Sequence, residues 1–436
     1  MSELNIQRKA EKVIMDWIQN GQKALLVYGI RQAGKTYSIR KCLQQSNADF
    51  VEFNLIETPE VAQILQNASS INDMVMRLSL FSEKKITPEK TIIFFDEIQC
   101  YKEIVTKIKF LVEDRRFRYV MSGSLLGVEL RNLRSAPVGY VQTLKMFPLD
   151  FEEFVHAFNV MPEIFEQLKE CMKNCVAVDE VIHKKMMDFF NLYLIVGGMP
   201  AAVSRYLESR NIEDVIEEHQ SLLELYKLDF TQYETDDKKL IISKLYEMIP
   251  AELNENNKRF VIANLDKNLR KNRVEESFVW LEKSGVALPV YNVVSPQIPL
   301  MLNQKSAFFK LFLSDSGLLT SLYGRTTKLK ILNNERDINK GAIYENVVAQ
   351  ELIAHGKTLY YYNSKKFGEL DFVTEIDDEV LPIEVKSGKA YQRHSALENV
   401  LNCPEYNIQK AVVFSNANVS KKGDIIYLPL YMVMFL

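Results

Sequence analysis

Long apolar runs, disulfide-forming cysteines and a dominant charge are all missing from this chain of 436 residues. No stretch approaches the roughly 18 apolar residues that a membrane-spanning helix requires, and no apolar export signal stands at the N-terminus. The five cysteines are odd in number and scattered, which favours a reducing compartment over a disulfide framework. A formal charge of −3 argues against binding of polyanions over the whole surface. We therefore expect a cytoplasmic protein without a membrane segment, on which any nucleic-acid surface is local.

The chain is too long for a single hydrophobic core, and its patterns divide it into four regions. Its composition, 47% hydrophobic and 25% charged, is typical of globular proteins. Strands alternate with helices at the N-terminal end, helices dominate the middle, and strands return near the C-terminus. We predict an α/β domain over residues 1–150, a helical domain over 151–235, a winged-helix-like domain over 236–330 and a second α/β domain over 335–436.

A phosphate-binding loop follows the first predicted strand. The apolar run Ala24–Tyr28 breaks into GIRQAGKT, which fits the P-loop pattern G-x-x-x-x-G-K-T. The two glycines let the backbone turn tightly with its N–H groups pointing inward, and the following helix presents its positive end to a phosphate. Lys35 is predicted to reach the β- and γ-phosphates of ATP, and Thr36 to bind Mg²⁺. The predicted nucleotide-binding residues are Gly29, Ile30, Arg31, Gln32, Ala33, Gly34, Lys35 and Thr36.

An acidic pair ends another apolar strand. The run Thr91–Phe95 is apolar almost throughout, as a strand buried on both faces should be, and Asp96 and Glu97 follow it. Asp96 is predicted to join Thr36 in holding Mg²⁺, while Glu97 orients and deprotonates the attacking water. The alternative is a solvated acidic turn without a catalytic role.

A further strand, Arg118–Met121, runs into two serines, Ser122 and Ser124. In ATPases with a strand inserted between the P-loop strand and the acidic strand, a polar residue here senses the γ-phosphate. Ser124 is our predicted nucleotide contact, and a capping or turn role for the serines is the alternative. Arg131 and Arg134 follow. They either contact the nucleotide of a neighbouring subunit or are solvated helix residues. The alternation predicts a parallel sheet sandwiched by helices, with ligand at the strands' carboxyl ends.

These landmarks resemble those of the bacterial and archaeal AAA-superfamily ATPases that carry an uncharacterised domain behind the P-loop core. The resemblance implies an ATPase that uses Mg²⁺ and drives rearrangement of its trailing domains. It is compatible with an oligomer, although no residue implies a hexameric ring. Many relatives place a basic residue where Tyr140 follows Gly139 here, which argues against a trans-acting arginine at that point. The segments that carry the resemblance are Gly29–Thr36, Phe94–Gln99, Ser122–Ser124, Phe147–Phe154 and Gly197–Pro200.

The middle of the chain reads as helical, with one turn and one basic stretch. Helical periodicity over residues 150–233 is interrupted at Gly197–Pro200. Residues 239–294 suggest short helices followed by an extended segment, an order that suits a winged helix-turn-helix. Lys258–Arg273 holds six basic residues and one acidic residue, so it either contacts a DNA backbone or forms a charged helix face without such a partner. Asp315–Leu319 resembles another landmark of the same family, to which we assign no chemistry.

A hairpin is predicted in the C-terminal region. Its strand patterns are Glu369–Thr374 and Val380–Lys386, separated by a polar acidic stretch. A turn at Asp377 and Asp378 fixes which residues of the two strands lie opposite each other. Since strand side chains repeat every two residues, alternate residues of both strands share one face.

Four charged side chains share one face of this predicted hairpin. Asp371 is set opposite Glu384, and Glu369 opposite Lys386. Two carboxylates about 5 Å apart repel each other unless a cation lies between them, and a divalent metal held by Asp371 and Glu384 is the expected cation. With Lys386 steadying a hydroxide nucleophile and Glu345 on a nearby helix completing the shell, the set describes metal-assisted phosphodiester hydrolysis.

This Glu…Asp…Glu-x-Lys arrangement resembles the restriction-endonuclease-like (PD-(D/E)xK) fold. The alternatives are a surface ion pair between Lys386 and Glu369, or a nuclease fold that has lost its activity. For the whole chain we expect an Mg²⁺-dependent ATPase coupled to a nuclease-like domain that acts on or binds nucleic acid. The competing hypothesis is a nucleotide-dependent switch or interaction protein, in which an inactive nuclease fold serves only for binding.

Overall fold

The computed structural model describes residues 6–101, 104–124, 139–232, 236–255, 260, 271–333, 335 and 340–436. These residues form two compact units. The P-loop unit comprises Ile6–Phe147 with Lys283–Val286, and the second unit comprises Pro148–Glu282 with Ala287–Leu436.

The P-loop unit contains a parallel sheet with helices on both faces. Its helices are Lys9–Asn20 (α1), Lys35–Gln45 (α2), Pro59–Asn67 (α3), Ile71–Leu78 (α4) and Ile104–Glu113 (α5). Its strands are Ala24–Gly29 (β1), Phe50–Asn54 (β2), Ile92–Asp96 (β3), Arg118–Gly123 (β4) and Val141–Met146 (β5). The strand order is β2-β3-β4-β1-β5, and all pairings are parallel. The predicted insertion of a strand between the P-loop strand and the acidic strand is therefore confirmed, with β4 in that place.

Strand β3 is buried on both faces because its side chains alternate between two cores. Ile93 and Phe95 pack in a core with residues of α3, α4 and α5. Ile92 and Phe94 pack in a second core with residues of α1 and α2. An almost wholly apolar strand is what a parallel sheet covered on both faces requires. The apolar stretch ends at Asp96, the last residue of β3, which brings a carboxylate to the carboxyl edge of the sheet.

The second unit combines helices with a mixed sheet. Its helices are Phe151–His156 (α6), Pro162–Asn174 (α7), Glu180–Val196 (α8), Pro200–Ser209 (α9), Ile212–Gln232 (α10), Asp236–Asn254 (α11), Lys271–Lys283 (α12), Ser316–Leu322 (α13), Arg325–Leu332 (α14), Gly341–Ala354 (α15) and Ser395–Leu401 (α16). Its strands are Ala287–Val293 (β6), Gln304–Leu313 (β7), Tyr360–Ser364 (β8), Gly368–Ile376 (β9), Glu379–Val385 (β10), Ala411–Ser415 (β11), Ser420–Lys422 (β12) and Ile425–Pro429 (β13). The strand order is β12-β13-β11-β10-β9-β8-β6-β7.

Two expectations about this unit differ from the structure. The extended segment expected in a separate winged-helix-like domain corresponds to β6, which together with β7 belongs to the same sheet as the C-terminal strands, because β6 pairs in parallel with β8. That pairing joins residues about seventy positions apart, such as Tyr291 and Tyr360, and no local pattern encodes it. The apolar tail Tyr427–Leu436 is too short to cross a bilayer, and its sequence predicts a closing strand. In the structure it is extended only as far as Pro429 and continues as the 3₁₀ helix Leu430–Phe435.

The predicted hairpin of β9 and β10 is confirmed, including its register. Asp377 and Asp378 adopt positive φ angles of 53° and 60°, as a two-residue hairpin turn requires. The ladder pairs Ile376 with Glu379 and continues to Phe372 with Ile383. One further step along this register brings Asp371 opposite Glu384.

Two segments that resemble landmarks of the ATPase family, Gly197–Pro200 and Asp315–Leu319, are joined by a hydrogen bond. The N–H of Gly198 donates to Asp315 Oδ2 at 2.6 Å, and the N–H of Leu318 donates to Asp315 Oδ1 at 2.8 Å, which caps α13. The N–H of Leu149 donates to the carbonyl oxygen of Gly198 at 2.7 Å. A Cβ placed on Gly198 would lie 2.0 Å from the carbonyl oxygen of Leu149. These landmarks are therefore structural, since glycine permits a close backbone approach that Asp315 then holds.

Among the described residues, none of the single helices has both the length and the apolar character needed to cross a membrane. The pair α8 and α9, bent by 119° at the break between them, meets the length and composition criteria when taken together.

Replacing Gly198 with alanine is expected to destabilise the second unit by about 2 kcal/mol or more, because the new methyl group collides with backbone rather than with a movable side chain. Thermal unfolding followed by circular dichroism measures the effect. Gly388→Ala is the matched control, since a Cβ there meets nothing within 4 Å. Equal melting temperatures for the two variants would contradict this account of the turn.

Candidate functional site

The P-loop wraps around its own lysine at the start of α2. Gly34 caps this helix with φ at 85°, a left-handed conformation that favours glycine. Lys35 Nζ donates to the carbonyl oxygens of Gly29 at 3.1 Å and Ile30 at 2.9 Å. The loop backbone thus holds the ammonium group, while the predicted reach of Lys35 to the phosphates of ATP stays a prediction.

Burial lowers the pKa of Lys35 to about 8, although the nearby charges of Glu97 and Asp96 act in the opposite direction. Lys35 is only 8% exposed. A negative ligand in the loop stabilises the charged form of such an amine and raises its pKa again. The electrostatics of the loop therefore suit a phosphate.

The predicted Mg²⁺ ligands Thr36 and Asp96 lie in direct contact. Thr36 Oγ1 donates to Asp96 Oδ1 at 3.0 Å, with Oδ2 at 3.1 Å. Ser122 Oγ also donates to Asp96 Oδ1. Hydroxyl and carboxylate oxygens are the hard ligands that Mg²⁺ prefers, so this donor set fits that ion.

Glu97 is oriented by a side chain that sequence reasoning missed. Gln99 Nε2 donates to Glu97 Oε2 and lies 3.3 Å from Ser124 Oγ. Glu97 has a positive φ of 57°, which is rare outside glycine and points to a position constrained by its surroundings. The predicted contact residue Ser124 is thus linked to Glu97 through Gln99.

Arg8 also supports the loop and was missed by sequence reasoning. Its guanidinium donates to the carbonyl oxygen of Ala33 at 2.9 Å and to that of Phe147 at 2.7 Å. The side chain is buried and joins the P-loop to the residue that follows β5. A single arginine ahead of a helix carries no sequence signal for such a role.

The second predicted site lies on the hairpin. Asp371 Oδ2 accepts a hydrogen bond from Val385 N at 2.9 Å, and Lys386 Nζ lies 2.5 Å from Glu384 Oε2. Burial raises the pKa of Glu384 to about 8, and the charge of Asp371 adds to that effect while Lys386 opposes it. The structure therefore brings Asp371, Glu384 and Lys386 together as the hairpin register predicted.

Glu369 is paired with a lysine that sequence reasoning missed. Glu369 Oε1 lies 2.8 Å from Nζ of Lys310, which belongs to β7 and is fully buried. The alternative of an ion pair between Lys386 and Glu369 does not hold, since Lys386 binds Glu384 and Glu369 binds Lys310. One signal was available: Lys310 is the only charged residue in the run Ala307–Leu313, and a lysine inside an apolar strand needs an internal partner.

Glu345, the sixth charged residue at this site, lies on α15 and is almost fully buried. Burial lowers the pKa of Lys310, but Glu345, Glu369 and Asp371 outweigh it, so the pKa is raised overall. Glu345 also helps to raise the pKa of Lys386. The five predicted residues and Lys310 thus form one charged group, which we call the carboxylate cluster: Glu345, Glu369, Asp371 and Glu384 with Lys310 and Lys386.

A different trio has metal-ligand spacing. Among the described residues, ligand atoms of Asp150, Glu351 and His355 all lie within 4.8 Å of one another. Asp150 Oδ1 accepts from the N–H of Glu153 at 2.8 Å, and Glu351 accepts from the N–H of Phe151 at 3.1 Å. Both carboxylates are therefore engaged in holding the start of α6, which accounts for their positions without a metal.

Two predicted features fall outside the described residues. Arg131 and Arg134, considered as contacts to a neighbour's nucleotide, lie there. Most of the basic stretch Lys258–Arg273 also lies there, so its contact with DNA remains an expectation from sequence alone.

The parallel sheet, the loop and the paired Thr36 and Asp96 define a P-loop ATPase domain. Residues 21–155 match the family described as AAA domain, which confirms the predicted AAA-type core. Residues 187–329 and 340–433 match two families, each described as a domain of unknown function (DUF8612 and DUF4143). Comparison with proteins of curated function gives no match. The chain therefore carries an AAA-type P-loop ATPase domain followed by regions whose families have no assigned function.

Several solved structures are similar to the chain at low identity. A Walker-type ATPase of Pyrococcus abyssi has 13% identity and a TM-score of 0.44, covering 74% of this chain and 97% of that one. The ORC1 protein of Aeropyrum pernix, solved in complex with DNA, has 12% identity and a TM-score of 0.32, covering 77% and 94%. Cdc6p from Pyrobaculum aerophilum has 12% identity and a TM-score of 0.28, covering 76% and 95%. Likenesses at this level carry no argument about substrate or partner.

Glu384→Gln is expected to alter how stability depends on pH. Folded Glu384 keeps its proton up to about pH 8, whereas an unfolded glutamate releases it near pH 4.3, so the wild type loses stability as the pH rises through this interval. The glutamine variant lacks that loss. Thermal unfolding in chelator between about pH 5 and about pH 9 measures the difference. The exposed Glu379, changed to glutamine on the same strand, is the control, and parallel curves for wild type and Glu384→Gln would refute the assignment.

Proposed function

We propose that the chain is an Mg²⁺-dependent ATPase that couples its nucleotide state to a C-terminal nuclease-like domain acting on or bound to nucleic acid. The observation that carries the ATPase part is the contact of Thr36 Oγ1 with the Asp96 carboxylate at 3.0 Å, with Glu97 next in the chain. Thr36 and Asp96 are the residues that would hold Mg²⁺. The bound ion supplies stabilisation of the charge on the β- and γ-phosphate oxygens.

The remaining residues of the loop bind and orient the triphosphate. The N–H groups of the loop and the N-terminus of α2 donate to phosphate oxygens, and Lys35 adds a positive charge. Glu97 orients the attacking water and accepts its proton. Gln99 donates to one oxygen of Glu97 and so sets the orientation of the base, and Ser124 contributes through Gln99.

Coupling is supported by the path of the chain. Lys283–Val286 belongs to the P-loop unit, although the residues before and after it do not. Within that unit, a Cβ on Gly285 would lie 3.7 Å from the backbone N of the P-loop residue Ile30. The chain then enters β6 at Ala287, in the sheet that carries the carboxylate cluster. A shift of the loop between nucleotide states therefore has a direct covalent route into that sheet.

Lys35→Ala and Glu97→Gln are expected to impair ATP turnover in different ways. Lys35→Ala removes a charge-assisted contact, so nucleotide affinity falls by about 10- to 100-fold. Glu97→Gln keeps the shape of the side chain but not its basicity, so kcat falls by about 10²- to 10⁴-fold while ATP still binds. Calorimetric titration and phosphate release measure the two effects.

Glu60→Gln, an exposed change on α3, is the matched control for the loss of a carboxylate and should behave as the wild type. Unchanged turnover in both Lys35→Ala and Glu97→Gln would mean that the ATPase assignment is wrong.

Metal-dependent cleavage of nucleic acid is the second candidate function. It is favoured by the opposition of Asp371 and Glu384, and by Lys386 Nζ at 2.5 Å from Glu384. Two carboxylates with water ligands are a common way to hold Mg²⁺, so the donor set fits one ion. Lys386 is then placed to stabilise a hydroxide nucleophile, in the manner of the restriction-endonuclease-like fold. In the alternative, a nucleotide-dependent switch, the same fold only binds.

Incubation of the full chain with DNA or RNA and Mg²⁺ or Mn²⁺ is expected to give cleavage that Asp371→Ala and Lys386→Ala lower by about 10²-fold or more. Lys410→Ala, at a half-exposed lysine bonded to Glu379, is the control for the loss of positive charge. No cleavage by the wild type, together with slow ATP turnover and tight retention of ADP, would favour the switch.

A further inference from the structure

Lys310 has no role in the hydrolysis proposed above, yet it lies within the same group of side chains. Its ammonium is 0% exposed, 2.8 Å from Glu369 Oε1 and 5.0 Å from the centre of the Tyr361 ring. A fully buried lysine persists in its charged form only where carboxylates offset its lost hydration. Three carboxylates do so here, since Glu345, Glu369 and Asp371 together raise its pKa despite burial.

The two lysines of the carboxylate cluster divide its acidic groups between them. Lys310 contacts Glu369. Among the carboxylates that raise its pKa against the effect of burial, Glu345 has the largest effect and Glu369 the next. Lys386 contacts Glu384. Among the carboxylates that raise its pKa against the effect of burial, Glu384 has the largest effect and Asp371 the next. Lys310, from the distant strand β7, therefore pairs with Glu369, and Lys386, which follows β10, pairs with Glu384.

We propose that the Lys310 ammonium is a built-in cation of the carboxylate cluster, which takes the place that a second divalent metal ion would otherwise hold. The proposal deepens the nuclease function proposed above and in that respect rests on it. Two-metal hydrolases hold their ions about 3.5–4 Å apart between shared carboxylates. Here a tethered ammonium contacts Glu369 and is acted on by the charges of Glu345 and Asp371, so it supplies a positive charge to the same carboxylates.

The charge balance of the cluster agrees with a single metal. When a metal ion displaces the proton that Glu384 otherwise keeps, four carboxylates and two ammonium groups leave two negative charges, and one divalent ion neutralises them. Asp371 and Glu384 remain to hold that ion. Glu369 is paired with Lys310 and Glu345 interacts electrostatically with it, so Lys310 acts as a positioning residue that keeps these two carboxylates away from the metal.

The experiment counts Mn²⁺ ions bound by the full chain without nucleotide, from the paramagnetic resonance signal of the free ion. Methionine resembles lysine in length and lacks the charge, so Lys310→Met is expected to bind one more Mn²⁺ per chain than the wild type. Lys410→Met is the matched control, because that lysine is half-exposed and outside the cluster, and it should bind as many ions as the wild type. Equal counts for Lys310→Met and wild type would overturn the proposal.

Asp371→Asn tests the proposed nuclease site separately. It should remove one bound Mn²⁺ from the wild-type count if Asp371 and Glu384 hold a metal. If Asp371→Asn binds as many Mn²⁺ ions as the wild type, the proposed metal site is wrong. The assignment of Lys310 depends only on the difference in bound Mn²⁺ between Lys310→Met and wild type. The two failures are therefore distinguishable.

Folding is followed in the same samples by circular dichroism, because loss of the ammonium leaves buried carboxylates without a cation. Lys310→Met combined with Glu369→Gln removes the ammonium and its partner charge together, and should fold and bind as many ions as the wild type. Lys310→Met that folds only with Mn²⁺ supports the proposal, since the ion replaces the ammonium. Lys310→Met that stays unfolded with Mn²⁺, while the double variant folds, overturns it.

Discussion

A buried charge needs a partner, and this constraint organises both units of the protein. In the P-loop unit, β3 is apolar on both faces, so its polar groups can only stand at its end. Asp96 stands there and meets the hydroxyl groups of Thr36 and Ser122, which come from the start of α2 and the end of β4. The parallel sheet therefore gathers polar side chains from separate segments at one edge, the carboxyl edge at which parallel α/β sheets bind their ligands.

The second unit meets the same constraint with a different geometry. Its hairpin places carboxylates on one face of a sheet instead of at an edge, and repulsion between Asp371 and Glu384 helps to hold the pKa of Glu384 high. Ammonium groups relieve part of that repulsion. Lys386 comes from the hairpin itself, whereas Lys310 comes from a strand at the end of the sheet. The cluster is therefore assembled from both local and distant parts of the chain.

The glycine landmarks show how packing and capping combine without any catalytic chemistry. Gly198 permits a backbone approach to Leu149 that any side chain would block. Asp315 then accepts the N–H of Gly198 and caps a helix more than a hundred residues further along the chain. Segments that look like functional motifs in a sequence can thus be the points where distant elements are held together.

Features encoded over short distances could be predicted from the sequence. The P-loop, the acidic end of β3 and the hairpin register depend on glycine, apolar runs and the two-residue period of a strand, all of which are local. The roles of Arg8, Gln99 and Lys310 could not be predicted in this way. Each depends on which strand or loop lies beside it, and a single residue of its type has no periodicity that would mark it. The parallel pairing of β6 with β8 could not be predicted for the same reason, and it places the extended segment of the expected winged-helix-like domain in the C-terminal sheet.

By itself, the sequence determined that this chain carries an ATPase loop with its acidic strand, and a hairpin with opposed carboxylates. Only the tertiary structure decided which cations face those carboxylates: Lys386 binds Glu384, and Lys310 binds Glu369. The physical reason is that secondary structure follows from neighbours in sequence, whereas the neutralisation of a buried charge follows from neighbours in space. The path of the chain between distant strands sets those spatial neighbours.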